Sequence, residues 1–252
     1  MENLDQIITQ FEPITLEEMD GVKLMNRTDT KFMMSVSDLC DALSLVTQDY
    51  RILEVQGVRA SRYETLYYDT KDFYFYKRHH GGKKNRYKIR KRSYMDSNLN
   101  FLEVKFKNSK DRTIKDRTRV SMIVEPLEDN SIKFIEENTP LRFELEPKIW
   151  NHFKRITLVN KNSTERLTID LDLDFRYGDL VKELPQLVIA EVKQEVENRY
   201  SPFMIVLKKK LIRPQSISKY CLGVAMLVNG MKANAFKDKL IKIRKISYGS
   251  VS

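Results

Sequence analysis

The chain has 252 residues, and its 45 lysines and arginines outnumber its 35 acidic residues, which gives a formal net charge of +10. A chain of this length can bury a sizeable core, and its charge favours an anionic partner such as nucleic acid, a phosphate compound or a membrane surface. The two cysteines are too far apart in the sequence for a cysteine metal site. The acidic N-terminus argues against a secretory leader, and the apolar runs are too short for a membrane span. We therefore expect a cytoplasmic protein that folds as one large domain or two small ones.

The first elements are predicted to be two helices on either side of a charged strand. Thr15–Val22 begins with a capping box and is predicted to be a short helix. Asn26–Met33 alternates as a strand does, so that one face carries Arg27, Asp29 and Lys31. A helix from Ser37 to about Val46 follows, with Ser37 as its N-cap and apolar residues at helical spacing.

An aromatic segment follows the second helix. Arg62–Asp69 is rich in tyrosine and threonine and is predicted to be a strand. Its successor, Asp72–Tyr76, is predicted to be another strand, and its rings are more typical of a core than of a base-stacking surface. His79 and His80 stand beside two glycines in a predicted loop, where no third ligand indicates a metal site.

Three predicted strands carry the strongest pattern in the chain: Arg86–Tyr94, Phe101–Lys107 and Ile114–Val124. Polar turn residues separate them, which favours an antiparallel meander. Side chains alternate between the two faces of a strand, so one face gathers a row of cations around a single carboxylate, Glu103. These cations are Arg86, Lys88, Arg90, Arg92, Lys105, Lys107, Lys115, Arg117 and Arg119.

Two interpretations of this cationic face compete. A half-exposed antiparallel sheet commonly points its charged side chains into water. Like charges on adjacent strands repel each other, however, and protein surfaces usually mix the two signs. The density of one sign therefore favours a bound polyanion over a solvated surface.

The second half of the chain is predicted to begin with a helix at Ser131–Asn138 and a hairpin of Lys148–Val159 with Arg166–Phe175. One face of the second hairpin strand carries acids that are either solvated or able to hold a divalent cation: Asp170, Asp172 and Asp174, in line with Arg166 and Thr168. Leu187–Lys193 is a further strand, in which Glu191 has apolar or small neighbours. A partly enclosed carboxylate needs a cation, either a basic side chain or a metal.

The last third is predicted to be helical. Ser201 caps a helix that begins with Pro202, and Ser216 or Ser218 caps another at Lys219–Asn229. A lysine at a helix N-terminus is unfavourable unless the terminus and the lysine face the same anion. The basic segment Lys232–Lys245 is predicted to form a weakly amphipathic helix.

Six short motifs follow one another along the chain. They are Arg27-x-Asp29-x-Lys31-Phe32, Arg86–Tyr94, Glu103-Val-Lys105, Arg166–Asp170, Ala190–Lys193 and Ser218-Lys219-Tyr220. In this order they resemble the polyphosphate polymerase domain of the vacuolar transporter chaperone (VTC) family, which belongs to the triphosphate tunnel metalloenzymes. The resemblance spans roughly residues 20–230, and its specificity comes from the order of the motifs and from the matching strand alternation. It implies one domain over residues 1–252, with a core at about residues 20–230 and a basic helical tail over residues 231–252.

The resemblance implies an α+β fold, namely an antiparallel β-barrel that forms a tunnel with a basic bore and is flanked by helices. It implies catalytic roles for Arg90, Arg92, Lys105, Lys115, Arg155 and Lys219. Together with the cationic face, it predicts substrate contacts for Arg27, Lys31, Lys88, Lys107, Arg117, Arg119, Arg166, Lys193 and Ser218. Glu191 matches the glutamate that holds a divalent metal, Mn²⁺ or Mg²⁺, in the family.

The implied activity is polyphosphate synthesis, in which the γ-phosphate of ATP or another triphosphate is transferred to inorganic polyphosphate. The chain departs from the family at Phe153, which replaces a tyrosine, and at Ser216, which replaces a lysine. Arg27 and Asp29 replace the Glu-x-Glu of the wider superfamily, which argues against a tripolyphosphatase or cyclase-type member. The regulatory and membrane segments of eukaryotic members are not found, so any export requires a membrane-protein partner.

Other functions stay open from the sequence. A triphosphatase would release orthophosphate, and a polyphosphate reader would need the bases without Glu191. Nucleic acid is an unlikely partner, because the aromatic residues of the first two meander strands mostly fall opposite the cations. The chain has no Walker-type motif, which excludes a P-loop enzyme.

Overall fold

The computed structural model describes residues 3–20, 27–110, 112–140, 142–195 and 197–249. Over these ranges the chain forms one mostly antiparallel sheet of 11 strands. The strands are β1 (Glu12–Ile14), β2 (Thr28–Ser35), β3 (Tyr50–Leu53), β4 (Ala60–Asp69), β5 (Arg86–Tyr94), β6 (Leu99–Lys107), β7 (Thr113–Val120), β8 (Glu146–Asn160), β9 (Glu165–Tyr177), β10 (Leu180–Leu184) and β11 (Leu187–Gln194). The helices are α1 (Leu4–Thr9), α2 (Leu16–Asp20), α3 (Val36–Ser44), α4 (Tyr74–His80), α5 (Asp129–Asn138), α6 (Pro202–Lys209), α7 (Lys219–Leu227) and α8 (Lys237–Tyr248). The predicted α+β class is confirmed.

The sheet is open, so the predicted closed barrel is wrong. Its strand order is β2-β11-β9-β8-β4-β5-β6-β7, with β10 on β9 and the β1–β3 pair on β8. Within the described ranges β2 and β7 end this order and do not pair with each other. One edge of β2 is taken by the connection before α7 instead, where the N–H of Gln215 donates to the carbonyl of Lys31 at 2.8 Å.

The open sheet nevertheless curls around a channel. In a flat sheet β2 and β4 would lie about 19 Å apart, because about four steps of 4.8 Å separate them. Met33 on β2 and Tyr67 on β4 nevertheless belong to one buried cluster with Tyr220 of α7, and the ring centroids of Tyr67 and Tyr220 lie 5.3 Å apart. The inner sides of these strands therefore converge.

Helices cover much of the outer side of the sheet. Helices α1, α3 and α6 pack on β2, β8, β9 and β11 through a cluster that includes Leu39, Leu43, Leu167, Val188 and Phe203. A second outer cluster joins α5 to β4, β5 and β6, and includes Leu66, Ile89, Leu102, Val104 and Ile135. These two clusters fix which side of each strand faces the channel.

Helix α7 lies on the inner side of the sheet and helps to position the channel residues. At Gly223 an added Cβ atom would lie 2.7 Å from Ile149 and 2.9 Å from Phe175. A glycine is therefore needed for this close approach of helix and sheet. The packing brings the N-terminal residue of α7, Lys219, to the inner side of β8 and β9.

Strand β9 contains a bulge that divides it into two parts. Asp172 has a φ of 48°, and the register shift leaves Asp172 and Leu173 opposite Phe153 alone. An extra residue reverses the alternation beyond it, so Asp170 faces inward whereas Asp174 lies outside beside His152. The prediction that the three acids share one face is therefore wrong.

The aromatic segment after β4 is helical, so the prediction of a strand at Asp72–Tyr76 is wrong. The buried carboxylate of Asp69 accepts the N–H groups of Phe75 at 2.8 Å and Tyr76 at 2.9 Å, which begins α4. Phe73 precedes the helix with a left-handed φ of 61°. His79 and His80 form the last turn of α4 and do not lie in the predicted loop.

The remaining differences from the predicted elements are shifts of a few residues. The capping box that begins α2 is confirmed, but residues 21 and 22 of that predicted helix and residue 26 of the predicted strand lie outside the described ranges. Ser35, not Ser37, caps α3. Strand β7 and helix α7 end earlier than predicted, and α8 begins later. The described helices include none long and apolar enough to cross a membrane.

Candidate anion-binding channel

The channel face is the inner side of the curled sheet, and it carries the cations of the predicted meander. The strand registers align Lys88 with Lys105 and Lys105 with Lys115. They align Arg90 with Glu103, and Arg92 with Phe101. The charged residues of the channel face are Asp29, Lys31, Arg86, Lys88, Arg90, Arg92, Glu103, Lys105, Lys107, Lys115, Arg117, Arg119, Arg155, Arg166, Asp170, Glu191 and Lys193, joined by Lys219 from α7.

Glu103 fixes two of the predicted catalytic cations. Its side chain is 1% exposed and accepts a hydrogen bond from Nε of Arg90 at 2.6 Å, while Nζ of Lys115 lies 2.5 Å away. Burial raises the pKa of the Glu103 carboxyl, but Arg90, Arg92 and Lys115 together lower it below its usual value. Glu103 therefore stays ionised and holds Arg90 and Lys115 on neighbouring strands.

Asp170 on β9 holds the catalytic candidates of two further elements, β8 and α7. Arg155 on β8 donates to both of its oxygens, at 2.6 and 2.8 Å, and Nζ of Lys219 lies 2.6 Å from Oδ2. The Lys219 ammonium also lies 3.0 Å from the ring centroid of Phe153. An aromatic ring at position 153 thus retains a cation–π contact although the hydroxyl of a tyrosine is missing.

Glu191, the predicted metal ligand, is paired with two lysines. Lys31 on β2 contacts Oε1, and Nζ of Lys193 lies 2.9 Å from Oε2. Lys193 also donates to Oγ1 of Thr168 at 2.6 Å. Burial lowers the pKa of Lys31 to about 8 and, together with Arg155, lowers that of Lys193 to about 7.

Lys88, Arg92 and Lys105 have no carboxylate within 4.0 Å among the described residues. Arg92 is 6% exposed and donates to Oγ1 of Thr65 at 3.2 Å. Burial lowers the pKa of Lys88, and burial with Lys88 and Arg90 lowers that of Lys105 to about 7. An enclosed cation without a counter-charge is unfavourable, and an anionic ligand would supply that charge.

The other predicted contacts occupy more varied positions. Arg27 precedes β2 and pairs with Asp29 at 3.0 Å, and Arg166 donates to the carbonyl of Met19 at 3.2 Å. Lys107 aligns with Arg86, whereas Arg117 and Arg119 are exposed on β7. The hydroxyl of Ser218 accepts the N–H of Cys221 at 3.3 Å and thereby caps α7, so its contact with substrate stays a prediction.

The sequence reasoning missed the side chains of β4 that orient these cations or position α7. Thr65 accepts from Arg92, and the Tyr67 hydroxyl lies 3.4 Å from Nη1 of Arg90. Asp69 accepts the Tyr220 hydroxyl at 2.5 Å and so anchors α7 beside Lys219. The alternation of β4 predicts that Thr65 and Tyr67 share one face of this strand. Their contacts with Arg92 and Arg90 could be predicted only if the pairing of β4 with β5 were known.

The placement of the aromatic residues also differs in part from expectation. Tyr87 and Phe106 do lie opposite the cations and stack on each other with centroids 4.5 Å apart. Tyr94 and Phe101 share the channel face with Arg92, since they occupy the same phase of their strands. Two of the four rings therefore share the channel face, so the expectation that these rings mostly lie opposite the cations is wrong.

The carboxylates do not form a complete metal site by themselves. Among the described residues no group of three or more His, Cys, Asp or Glu side chains could hold a metal ion. Glu191 does offer hard oxygen donors in the channel, and Mg²⁺ commonly binds one or two carboxylates with substrate phosphates and water as its other ligands. The residues present therefore fit a metal that arrives with a phosphate substrate.

Comparison with known proteins places this channel within one family. The model of the VTC domain family matches residues 26–228, and no curated protein matches the chain significantly. A conserved hypothetical protein from Pyrococcus furiosus is similar with a TM-score of 0.42 and 12% identity, over 76% of this chain and 97% of that chain. A putative adenylyl cyclase from Hippeastrum, described as having a dominant triphosphatase activity, has a TM-score of 0.38 and 14% identity over 81% and 98% of the two chains.

Proposed function

Because the chain belongs to the VTC domain family, we propose that it transfers the γ-phosphate of ATP to a growing polyphosphate chain. The observation that carries this proposal is the presence of enclosed cations without carboxylate partners in the described ranges, namely Lys88, Arg92 and Lys105. Phosphoryl transfer depends mainly on positioning and on stabilisation of negative charge. A channel face with excess positive charge supplies both for a linear polyphosphate.

The contacts support the following roles for the residues of the channel face. Arg90 and Lys115, held by Glu103, bind the triphosphate together with Arg92 and Lys105, which have no carboxylate partner among the described residues. Arg155 and Lys219, held by Asp170, stabilise charge on the transferring group together with Arg166. The terminal phosphate of the acceptor is already an anionic nucleophile, so no general base is needed. The remaining cations and Ser218 guide the chain: Arg27, Lys31, Lys88, Lys107, Arg117, Arg119 and Lys193.

Glu191 would hold Mn²⁺ or Mg²⁺ once substrate phosphates complete the coordination. When bound, the metal would neutralise charge on the phosphate oxygens. Lys31 and Lys193 would have to release the carboxylate, and the same phosphates give them new acceptors. We expect neither Mn²⁺ nor Mg²⁺ alone to raise the melting temperature, because the protein offers an incomplete site, whereas either metal added with tripolyphosphate should raise it.

The test is to incubate the purified protein with ATP and Mn²⁺ and to resolve the products on a gel stained for polyphosphate. The wild type should make polyphosphate, whereas Arg92→Gln and Glu191→Gln should make at least about tenfold less, since one lost charge contact costs about 1.4 kcal/mol or more. Lys154→Gln is the matched control. Lys154 is next to Arg155 in the sequence but pairs with Asp172 on the outer face, so this variant should remain active.

Each other result selects a different function. Release of orthophosphate without polyphosphate would identify a triphosphatase. Binding of polyphosphate without turnover would identify a reader, and binding of oligonucleotides in preference to polyphosphate would identify a nucleic-acid protein. Polyphosphate synthesis would leave export as a separate step for a membrane-protein partner.

A further inference from the structure

The channel face has aromatic residues at one end of the meander. We define this aromatic end by Tyr63, Tyr94, Phe101 and Phe153, which come from β4, β5, β6 and β8. Tyr63 lies 4.9 Å from Tyr94 and 5.1 Å from Phe153, measured between ring centroids. Tyr94 lies 5.9 Å from Phe101. The four rings are therefore continuous across four strands. Phe153 is buried, so the accessible surface consists of Tyr63, Tyr94 and Phe101.

This surface directly adjoins the cations proposed to bind the triphosphate. Along β5, Tyr94 follows Arg92 at the next position on the same face, a step of about 6.8 Å, and Phe101 is the register partner of Arg92. At the opposite end of the same strands the channel face carries Arg86 and Lys107, whereas the rings of Tyr87 and Phe106 lie on the outer side. The meander is thus aromatic at one end and purely cationic at the other.

The phenols of the aromatic end differ from the buried phenols of the protein. Tyr68, Tyr76 and Tyr220 each donate a hydrogen bond to a backbone carbonyl or a carboxylate. Tyr63 and Tyr94 are only half-buried, and their hydroxyls make no hydrogen bond to any described residue. Packing alone therefore does not use the polar part of these two side chains.

Cationic side chains already stack on the rings. The guanidinium carbon of Arg117 lies 4.7 Å from the centroid of Phe101, and that of Arg155 lies 5.0 Å from Tyr63. Nucleobases stack on aromatic rings and on guanidinium planes. Arg117 is exposed on the edge strand β7, so it can cover or uncover Phe101 without disturbing the core.

We propose that the aromatic end is a nucleoside subsite, which stacks the base of a nucleoside triphosphate while the phosphates extend from Arg92 towards Lys88 and Lys105. This inference rests on the proposed function in one respect, since the channel must accept a nucleotide. It adds which end of the channel takes the base. It also adds that Tyr94 and Phe101 distinguish a nucleotide from inorganic phosphate chains.

The test compares the dissociation constants of ATP and inorganic tripolyphosphate, each with Mg²⁺, by calorimetry. In the wild type ATP should bind more tightly than tripolyphosphate, although ATP carries less negative charge. Tyr94→Ala and Phe101→Ala should weaken ATP binding about tenfold, as expected for loss of one stacking partner, and should leave tripolyphosphate binding unchanged. Tyr94→Phe, which keeps the ring, should retain ATP binding.

The control is Phe106→Ala, which removes a ring from the outer side of the same strand as Phe101. It should alter neither dissociation constant. Equal weakening of ATP and tripolyphosphate by Tyr94→Ala and Phe101→Ala would overturn the subsite, because the rings would then act only on the fold of the channel. Unchanged ATP binding in both variants, or tighter binding of tripolyphosphate than of ATP by the wild type, would also overturn it.

Failure of the proposed function can be distinguished from failure of the nucleoside subsite. A wild-type protein that binds both ligands as expected but makes no polyphosphate would refute the polymerase and leave the subsite intact. If the alanine variants do not fold, the wild-type preference for ATP over tripolyphosphate and the behaviour of Tyr94→Phe still decide the question.

Discussion

The outer side of β8 and β9 differs from the channel face in how its charges are paired. On the outer side of β8 and β9, Lys154 pairs with Asp172 at 2.9 Å, and His152 lies between Asp174 and Glu64 at 2.7 and 3.0 Å. On the channel face Glu103, Asp170 and Glu191 each contact two cations, and further cations have no carboxylate nearby in the described ranges. The outer charges are matched within the protein, whereas the inner charges require an external anion.

The largest expected effect comes from removing an acid from the channel face. Asp170→Asn should lower the free energy of unfolding by about 3 kcal/mol or more, because it leaves Arg155 and Lys219 enclosed without their counter-charge. Asp172→Asn should lower it by less than about 1 kcal/mol, because Asp172 and Lys154 are both more than half exposed. Urea denaturation of the two variants measures the difference.

The same denaturation experiment in the presence of tripolyphosphate tests whether Arg155 and Lys219 bind phosphate. If Arg155 and Lys219 face a phosphate site, the ligand should restore part of the stability of Asp170→Asn and none of that of Asp172→Asn. Equal losses in the two variants would mean that the inner and outer charges play the same role.

An intermediate effect is expected for the pH dependence of the stability that His152 contributes on the outer face. Hydrogen bonds to Asp174 and Glu64 raise the pKa of His152 to about 9 in the folded state, against an ordinary value of 6.5. Its contribution to stability is therefore fully present below about pH 6.5 and is lost as the pH rises through about 9. The free energy of unfolding of the wild type minus that of His152→Gln should fall by up to about 3 kcal/mol between pH 6 and pH 10.

Chemical denaturation of both proteins at several pH values tests this effect. Arg176, which lies 3.3 Å from Asp174, stays charged over the whole range and does not produce the same slope. A difference that is independent of pH would mean that His152 contributes by packing against Trp150 and not by its charge.

The smallest expected effect concerns the protonation of Lys105. Because its pKa is lowered to about 7, Lys105 is largely neutral at pH 8, and an adjacent triphosphate favours its charged form. Tripolyphosphate binding at pH 8 should therefore take up part of a proton, which calorimetry in two buffers of different ionisation enthalpy detects. Lys105→Arg should take up a smaller part of a proton, since arginine remains charged. The remaining uptake is expected from Lys193 and Lys31, whose pKa values are also lowered, to about 7 and about 8. Unchanged uptake in Lys105→Arg would assign the proton to another group.

The sequence predicted the local charge pattern well because alternation is a property of each strand. The strand β5 has the predicted bounds, and the meander brings Lys88, Lys105 and Lys115 into register, as an antiparallel arrangement requires. The pairing of Glu103 with Arg90 follows from the same register. These features needed no information from distant parts of the chain.

The incorrect predictions involve contacts that a local pattern does not contain. Helix α4 depends on the Asp69 carboxylate and on the left-handed Phe73, which override the strand preference of an aromatic run. Closure of the sheet depends on whether β2 meets β7, and the connection at Gln215 prevents it on one edge. The orientation of Arg92 by Thr65 depends on a pairing between strands with α4 between them.

The bulge at Asp172 has a consequence for how this protein can change over time. At Asp172 the backbone adopts a left-handed φ of 48°, which aspartate tolerates better than most residues do. A β-branched residue at this position would favour regular alternation along β9, which would turn Asp174 towards α7 and Phe175 towards the outer side. Deletion of Asp172 would instead remove the bulge and keep both orientations. In β9, therefore, the identity of the residue at the bulge is constrained more strictly than the number of residues.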